Sequence, residues 1–422
     1  MVFTGRESKG FSCMKIPSPL ASMQGAWLAE KRAAFSPKTK KRKDMLGVYI
    51  HVPFCERKCI YCAFSSFCDL KEKDRYLSAL KDEIDNFDYK KLEKSENYIE
   101  KNENLQKIDT IYIGGGTPSL LARGELKGIL DAVKDKFTLS ENSEITIECN
   151  PNSLTEEKLK FYKELGINRL SIGVQSLRDE QLKFIGRLHT SKQALDSLRL
   201  ATKYFDNVSC DFLIGLPKQD GDEFIEDLSK VIEIGVKHIS SYMLQVEDNT
   251  QLAKLVKNHP FVLPDDDECV DIYQKTSKFL QKNGFLQYEI SNFAKYGYES
   301  RHNLKYWSGE SYVGFGLSAH SYVYDGRWAN SNTFQDYYQG KLALQETLNK
   351  KQLIEEHIML GLRCKLGVDI KYLEKLGYII ESNQNYHDFL AKNIIFQKNN
   401  RIYLNPQYYG VSNYVIVKLL NE

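Results

Sequence analysis

From Leu46 onward, short runs of β-branched and aromatic residues alternate with longer stretches of helical periodicity. The runs "LGVYIHV" (46–52), "KIDTIYIGG" (107–115), "SEITIEC" (143–149), "INRLSIGV" (167–174), "NVSCDFLIG" (207–215) and "VKHISSYML" (236–244) read as strands. Helices are expected over 71–87, 120–137, 155–165, 191–205, 221–234 and 266–283. Six strands alternating with helices predict an α/β fold with a parallel sheet and right-handed crossovers, either open or curled into a barrel. The charged, Asn-rich stretch "EKSENYIEKNENLQK" (93–107) has no steady period and is expected to loop out.

Beyond residue 285 the pattern changes. Residues 286–345 are rich in Tyr, Gly and Asn and are expected to form loops and short strands over the mouth of the sheet. Residues 346–422 read as a small α+β domain, winged-helix-like, with a hairpin turning at Asn399-Asn400. The chain thus divides into a tail (1–44), an α/β unit (45–285), the aromatic segment and the small domain. The small domain lacks a basic recognition face, so it reads as structural.

Polar features gather where the strands end. Three cysteines follow the first strand, "GGGTP" (114–118) the second, and Glu148 with Asn150-Pro151 the third. Gln175 closes the fourth, and Asp211 lies in the fifth ahead of "IGLP". Parallel α/β folds place their sites at the carboxyl ends of strands.

Composition narrows the partners. The 422 residues carry a formal charge of +2, which gives no global pull toward nucleic acid or anionic membrane. No apolar run reaches the length of a membrane span. Nine cysteines, three of them clustered, suit a reducing compartment such as the cytoplasm and a metal or redox site. Residues 1–44 hold ten Lys or Arg against three acidic residues and end in "KTKKRKD". Such a segment fits a disordered tail or a start placed too far upstream; an organellar transit peptide is the alternative. Its Lys-rich character, and Met45 just before the first strand, favour the first two.

The stretch "YIHVPFCERKCIYCAF" (49–64) sets Cys55, Cys59 and Cys62 in a CxxxCxxC spacing. Thiolates are the usual ligands of iron–sulfur clusters, and three on a four-iron cluster leave one iron open. Zinc is the competitor, with His51 or Cys68 as fourth ligand, although structural zinc sites more often use paired CxxC knuckles. A disulfide would leave one thiol odd. Cys68, Cys149, Cys210, Cys269 and Cys364 have no ligand-spaced partners and read as packed or incidental thiols, and Cys13, in the tail, is given no role.

The motif resembles that of the radical S-adenosylmethionine (SAM) enzymes, in which the open iron of a [4Fe-4S] cluster is chelated by SAM. That resemblance implies a partial (β/α)6 TIM-like barrel, cluster ligation by Cys55, Cys59 and Cys62, and an electron donor for the cluster. "TIECNP", "SIGVQSL", "FIGRLH" and "CDFLIGLP" are together similar to the oxygen-independent coproporphyrinogen III oxidases and their relatives. It implies that Gly114, Gly115, Gly116 and Thr117 hold the SAM amine and that Gln175 and Asp211 hold its ribose. Arg187 then pairs with the SAM carboxylate, and Glu148 lies near its polar groups. Tyr49 and Tyr61 complete the implied set, and Tyr49 with His51 matches the family's "YxHxPFC" opening.

Within the family, the oxidases extend the motif to a fourth cysteine where this chain has Phe64. That departure resembles the sister group, the HemW-type heme chaperones, as does "HNLKYW" (302–307). Two functions follow as expectations. One is a heme chaperone that binds heme and passes it to an acceptor protein. The other is an oxidative decarboxylase of coproporphyrinogen. A neutral imidazole is a normal axial ligand for heme. His302 is the preferred candidate, with Tyr306 and Trp307 beside it, and His320 is the second. The alternative for His302 is a loop histidine hydrogen-bonded to backbone.

Overall fold

A computed structural model describes residues 45–89, 106–260 and 262–421. The expectations for the tail, for Cys13 and for most of 93–107 lie outside the described residues.

Six parallel strands form the centre of one twelve-stranded sheet: β1 (Leu46–Val52), β2 (Lys107–Gly115), β3 (Thr138–Cys149), β4 (Arg169–Gln175), β5 (Asn207–Ile214) and β6 (His238–Met243). They pair in sequence order, as right-handed crossovers require. The connecting helices include α1 (Lys73–Asp85), α2 (Arg123–Lys136), α3 (Glu156–Glu164), α4 (Asp179–Phe184), α5 (Ser191–Tyr204) and α6 (Gly221–Ile234).

Helix ends follow local chemistry. Asp220 accepts hydrogen bonds from the amides of Asp222 and Glu223 at the start of α6, and Gly235 ends it in the left-handed region. Thr190 and Gln193 form a capping box at α5. Each such cap is worth about 1 kcal/mol. Within 45–285 two helices escaped the periodicity, the six-residue α4 and α7 (Gln251–Asn258), because both are too short to show a clear repeat.

The strands alternate in a way that positions the site. One face carries Val48, Ile50, Ile111, Ile113, Ile147, Leu170, Ile172, Val208 and Phe212, all buried in the main hydrophobic core with apolar residues of the helices. Full burial of each such side chain contributes roughly 1.5–3 kcal/mol. The other face carries Tyr49, His51, Thr110, Tyr112, Glu144, Glu148, Arg169, Ser171, Ser209, Asp211, His238 and Ser240, by the two-residue period of a strand. Central parallel strands are usually apolar on both faces. A polar inner face is the fold's first mark of function.

Residues 286–347 do form short strands, but these extend the sheet instead of only lying over its mouth. β8 (Asn292–Ala294) adds antiparallel to β6, and β7 (Leu286–Gln287) pairs antiparallel with β8 at the sheet's edge. After α8 (Asp266–Lys282) and these strands comes α9 (Arg301–Ser308), then β9 (Tyr312–Phe315), which runs parallel to β1. β10 (His320–Val323), β11 (Gly326–Asn330) and β12 (Leu342–Thr347) complete that edge. The small domain holds a three-stranded antiparallel sheet of β13 (Val368–Asp369), β14 (Ile395–Lys398) and β15 (Arg401–Leu404). Asn399 and Asn400 both take positive φ, 50° and 61°, as a tight hairpin turn demands. Among the described residues, no helix is long and apolar enough to cross a membrane.

Candidate functional site

The loop after β1 carries the three cysteines, all partly buried. Backbone bonds anchor it: the Cys55 amide to the Phe67 carbonyl (3.0 Å), Phe67 to Pro53 (2.7 Å), Ile60 to Ile185 (3.2 Å) and Leu252 to Ile60 (2.9 Å). Lys58 Nζ donates to the carbonyls of Phe64 and Ser66, closing the loop on itself. The Phe64 side chain points to solvent, 57% exposed. Burial pushes the thiols of Cys55 and Cys62 up, and each is raised further by the neighbouring cysteines.

The glycine run is strapped to the same loop, with Gly116 N donating to Val52 O (2.8 Å) and Thr117 N to Phe54 O (2.8 Å). Glycine is required here by contact. A Cβ on Gly115, whose φ is +111°, would fall 2.5 Å from the His51 ring, and one on Gly116 would fall 2.7 Å from the Phe54 carbonyl oxygen.

Glu148 sits beside this run and accepts from Tyr112 Oη (2.7 Å) and the Gly115 amide (3.0 Å). Burial raises its carboxyl to about 7. Asp211 accepts from Ser171 Oγ (3.1 Å) and Ser209 Oγ (3.3 Å), and burial raises its pKa against those bonds. Gln175 takes a positive φ of 68°, and its carboxamide makes no hydrogen bond among the described residues. Arg187 is partly buried and donates through Nη2 to Gly173 O and Asn150 Oδ1 (both 2.7 Å), while Nη1 approaches Cys59 Sγ at 3.7 Å. Tyr61 packs on Ile185, Leu213 and Leu216. These groups stand at the carboxyl ends of five consecutive strands.

His51 holds the site together from within. One ring nitrogen meets Tyr49 Oη at 3.0 Å and the other meets Ser65 O at 2.8 Å. Burial lowers its pKa to about 4, so it is neutral. With both nitrogens committed it is no metal ligand, and Cys68 is exposed. Among the described residues, no three His, Cys, Asp or Glu side chains converge as ligands of a single metal ion. Thiols at the corners of a polynuclear cluster stand further apart than donors on one ion. The three-thiol loop, with hydroxyl and guanidinium donors aimed at two of its sulfurs, therefore suits a cluster better than zinc.

The two heme candidates have opposite settings. His302, on α9, is fully buried at the amino end of the barrel, away from the cysteines. Its Nδ1 meets Thr110 Oγ1 and its Nε2 meets Tyr306 Oη, both at 2.8 Å, and its ring stacks on Tyr112. Axial ligation there would require one of these bonds to break. His320, at the start of β10, is partly buried, and its ring makes no hydrogen bond among the described residues.

Sequence reading missed Tyr112, the donor to Glu148, and the serines around Asp211. Their signal was register. Tyr112 stands two residues before Gly114 on the same face, and Ser209 two before Asp211. Asn150 was noticed only as the end of a strand.

Residues 49–231 match the family model of the radical SAM superfamily. The chain superposes on coproporphyrinogen III oxidase from Escherichia coli, a radical SAM enzyme, with a TM-score of 0.74 at 21% identity, covering 94% of this chain and 93% of that one. At that identity the likeness establishes the fold. The barrel and its three-cysteine loop are thus those of a radical SAM protein. The chain is 35% identical to the heme chaperone HemW of Bacillus subtilis over 90% of this chain and 100% of that one. It is 33% identical to HemW of Lactococcus lactis (89% and 97%), and 32% identical to radical S-adenosyl methionine domain-containing protein 1, mitochondrial, of Mus musculus (89% and 90%). The chain belongs to the HemW family of heme chaperones.

Proposed function

We propose that this protein binds heme and passes it to an acceptor protein, and that it carries a [4Fe-4S] cluster on Cys55, Cys59 and Cys62 with SAM at the strand ends. The curated relatives named as heme chaperones, matched over nearly their whole length, carry this reading. Phe64 supports it, since an exposed phenyl ring replaces the fourth cysteine of the oxidase motif.

A bound cluster and SAM supply low-potential electrons and, in this superfamily, radical chemistry. The chain's own residues do the positioning. Cys55, Cys59 and Cys62 would hold the cluster, with the SAM amine and carboxylate bound beside it. Gln175, with an uncommitted carboxamide, and Asp211, held by two serines, suit ribose hydroxyls. Arg187 has both Nη2 hydrogens and one Nη1 hydrogen engaged within the protein, so Nε and the second Nη1 hydrogen are left for the SAM carboxylate. Glu148 remains beside the glycine run, where its raised pKa lets it present a proton as well as a lone pair near pH 7. His320 is the heme ligand in this reading, because an axial ligand needs a nitrogen lone pair that the protein has not used.

An anaerobic assay with reductant, SAM and coproporphyrinogen III tests the choice against the oxidase. The chaperone reading expects no protoporphyrinogen and stoichiometric heme uptake. Turnover to protoporphyrinogen would overturn it.

A further inference from the structure

A continuous hydrogen-bonded arc joins two of the three cysteines. Thr117 Oγ1 donates to Cys55 Sγ (3.5 Å), and Asn150 Nδ2 donates to Thr117 Oγ1 (3.1 Å). Arg187 Nη2 donates to Asn150 Oδ1 (2.7 Å), and Arg187 Nη1 donates to Cys59 Sγ (3.7 Å). Asn150 is the middle of this arc. Its carboxamide supplies what the place requires, an acceptor for the guanidinium on one side and a donor for the hydroxyl on the other.

The backbone of Asn150 is fixed at both ends. Its amide donates to Ser119 Oγ (3.3 Å), and its carbonyl accepts from Ser153 N (3.0 Å) and Ser153 Oγ (2.7 Å). Pro151 restricts the preceding residue to extended backbone, and Asn150 has φ −92° and ψ 143°. The side chain is thus aimed by four constraints, none of them a bond to Cys55, Cys59 or Cys62.

We infer that Asn150 is a positioning residue that sets the reduction potential of the group held by the cysteines. It does so by presenting one neutral donor to Cys55 and one cationic donor to Cys59. The inference rests on the reading that these cysteines carry an iron–sulfur cluster. A cluster gains one negative charge on reduction. Hydrogen bonds to its sulfurs and a nearby cation stabilise the reduced form, which raises the potential. The Asn150 carboxamide stabilises both donors at once, so its loss weakens both.

The test is a potentiometric titration of the anaerobically reconstituted full chain, followed by the electron paramagnetic resonance (EPR) signal of the reduced cluster. Iron and sulfide content are measured on the same samples. Asn150→Ala is expected to retain the cluster and shift its midpoint to a more negative value. Thr117→Val should give a smaller shift of the same sign. The two shifts should add to more than the double variant shows, since Asn150→Ala already disorders the Thr117 donor. A residue with a merely structural role would change cluster content or unfolding and leave the midpoint in place. A fully loaded Asn150→Ala with the wild-type midpoint, or two shifts that add in full, would overturn the inference. If Asn150→Ala takes up no cluster, Thr117→Val decides alone, and an unchanged midpoint there overturns it. A wild-type chain that takes up no iron defeats the underlying cluster reading instead, and is seen before any variant is made.

Discussion

The two ends of β2 hold similar residue types in opposite states. At its amino end, Asp109 pairs with Lys305 Nζ (2.9 Å) and Arg301 Nη2 (3.0 Å), and Glu144 accepts the amides of Arg301 and His302, both at 3.1 Å. His302 has both nitrogens bonded within the protein. At the carboxyl end stand three thiols, an uncommitted Gln175 and a carboxyl group held near neutrality. Both ends carry carboxyl groups and other polar side chains, buried at the amino end and only partly buried around the thiols. What separates them is whether the protein has already satisfied the polar atoms. The saturated end is a clamp that fastens α9 under the barrel, and the open end is a site.

Breaking each end should therefore give different losses. The largest contrast is at the cysteines. Cys59→Ser should abolish iron uptake on reconstitution while leaving urea unfolding of the metal-free chain within about 1 kcal/mol of wild type. At the other end, His302→Ala should destabilise the chain by about 3 kcal/mol, because it leaves a cavity and strands Thr110 and Tyr306. Iron uptake per folded molecule should be unchanged. The reverse pattern would show that the saturated end is the functional one.

A pH titration sharpens the contrast. Glu148 ionises near pH 7 in the fold, against 4.5 when exposed, because burial disfavours its charge. The folded state thus binds the proton more tightly. Its stabilising contribution is fully present below about pH 4.5 and is lost as pH rises through 7. The swing is on the order of 3 kcal/mol. Glu148→Gln should remove that share of the slope between pH 4.5 and 7 in unfolding titrations. Glu289, raised by burial to about 7, keeps its own contribution of the same sign.

Smaller effects separate the two histidines. His320→Ala should weaken heme binding by roughly tenfold, about 1.4 kcal/mol, without altering the cluster's absorption. His302→Ala, compared at equal folded concentration, should leave the heme titration in place. Last, Tyr49→Phe removes one hydrogen bond to His51 and should cost about 1 kcal/mol of stability.

Much of this was legible in the sequence where the signal is local. The β1 and β2 runs, the helix at 221–234 and the Asn399-Asn400 turn follow from residue periodicity and turn chemistry, and they stand where the pattern put them. The cysteine spacing and the glycine run pointed to one face because parallel strands end together. Partnership was not legible. His302 has the chemistry of a ligand, and its bond to Thr110 spans 192 positions. Asn150 read as punctuation before a proline, and its link to Arg187 spans 37 positions. The short α9 hid in a Tyr-rich segment, because eight residues give barely two turns.

The most direct test of the open site is EPR of the anaerobically reconstituted and reduced chain, with and without SAM. The expected result is about four irons per chain and a cluster signal that changes on adding SAM, with both lost in Cys59→Ser. A full cluster whose signal ignores SAM would contradict it, because no iron would then be open between Cys55, Cys59 and Cys62.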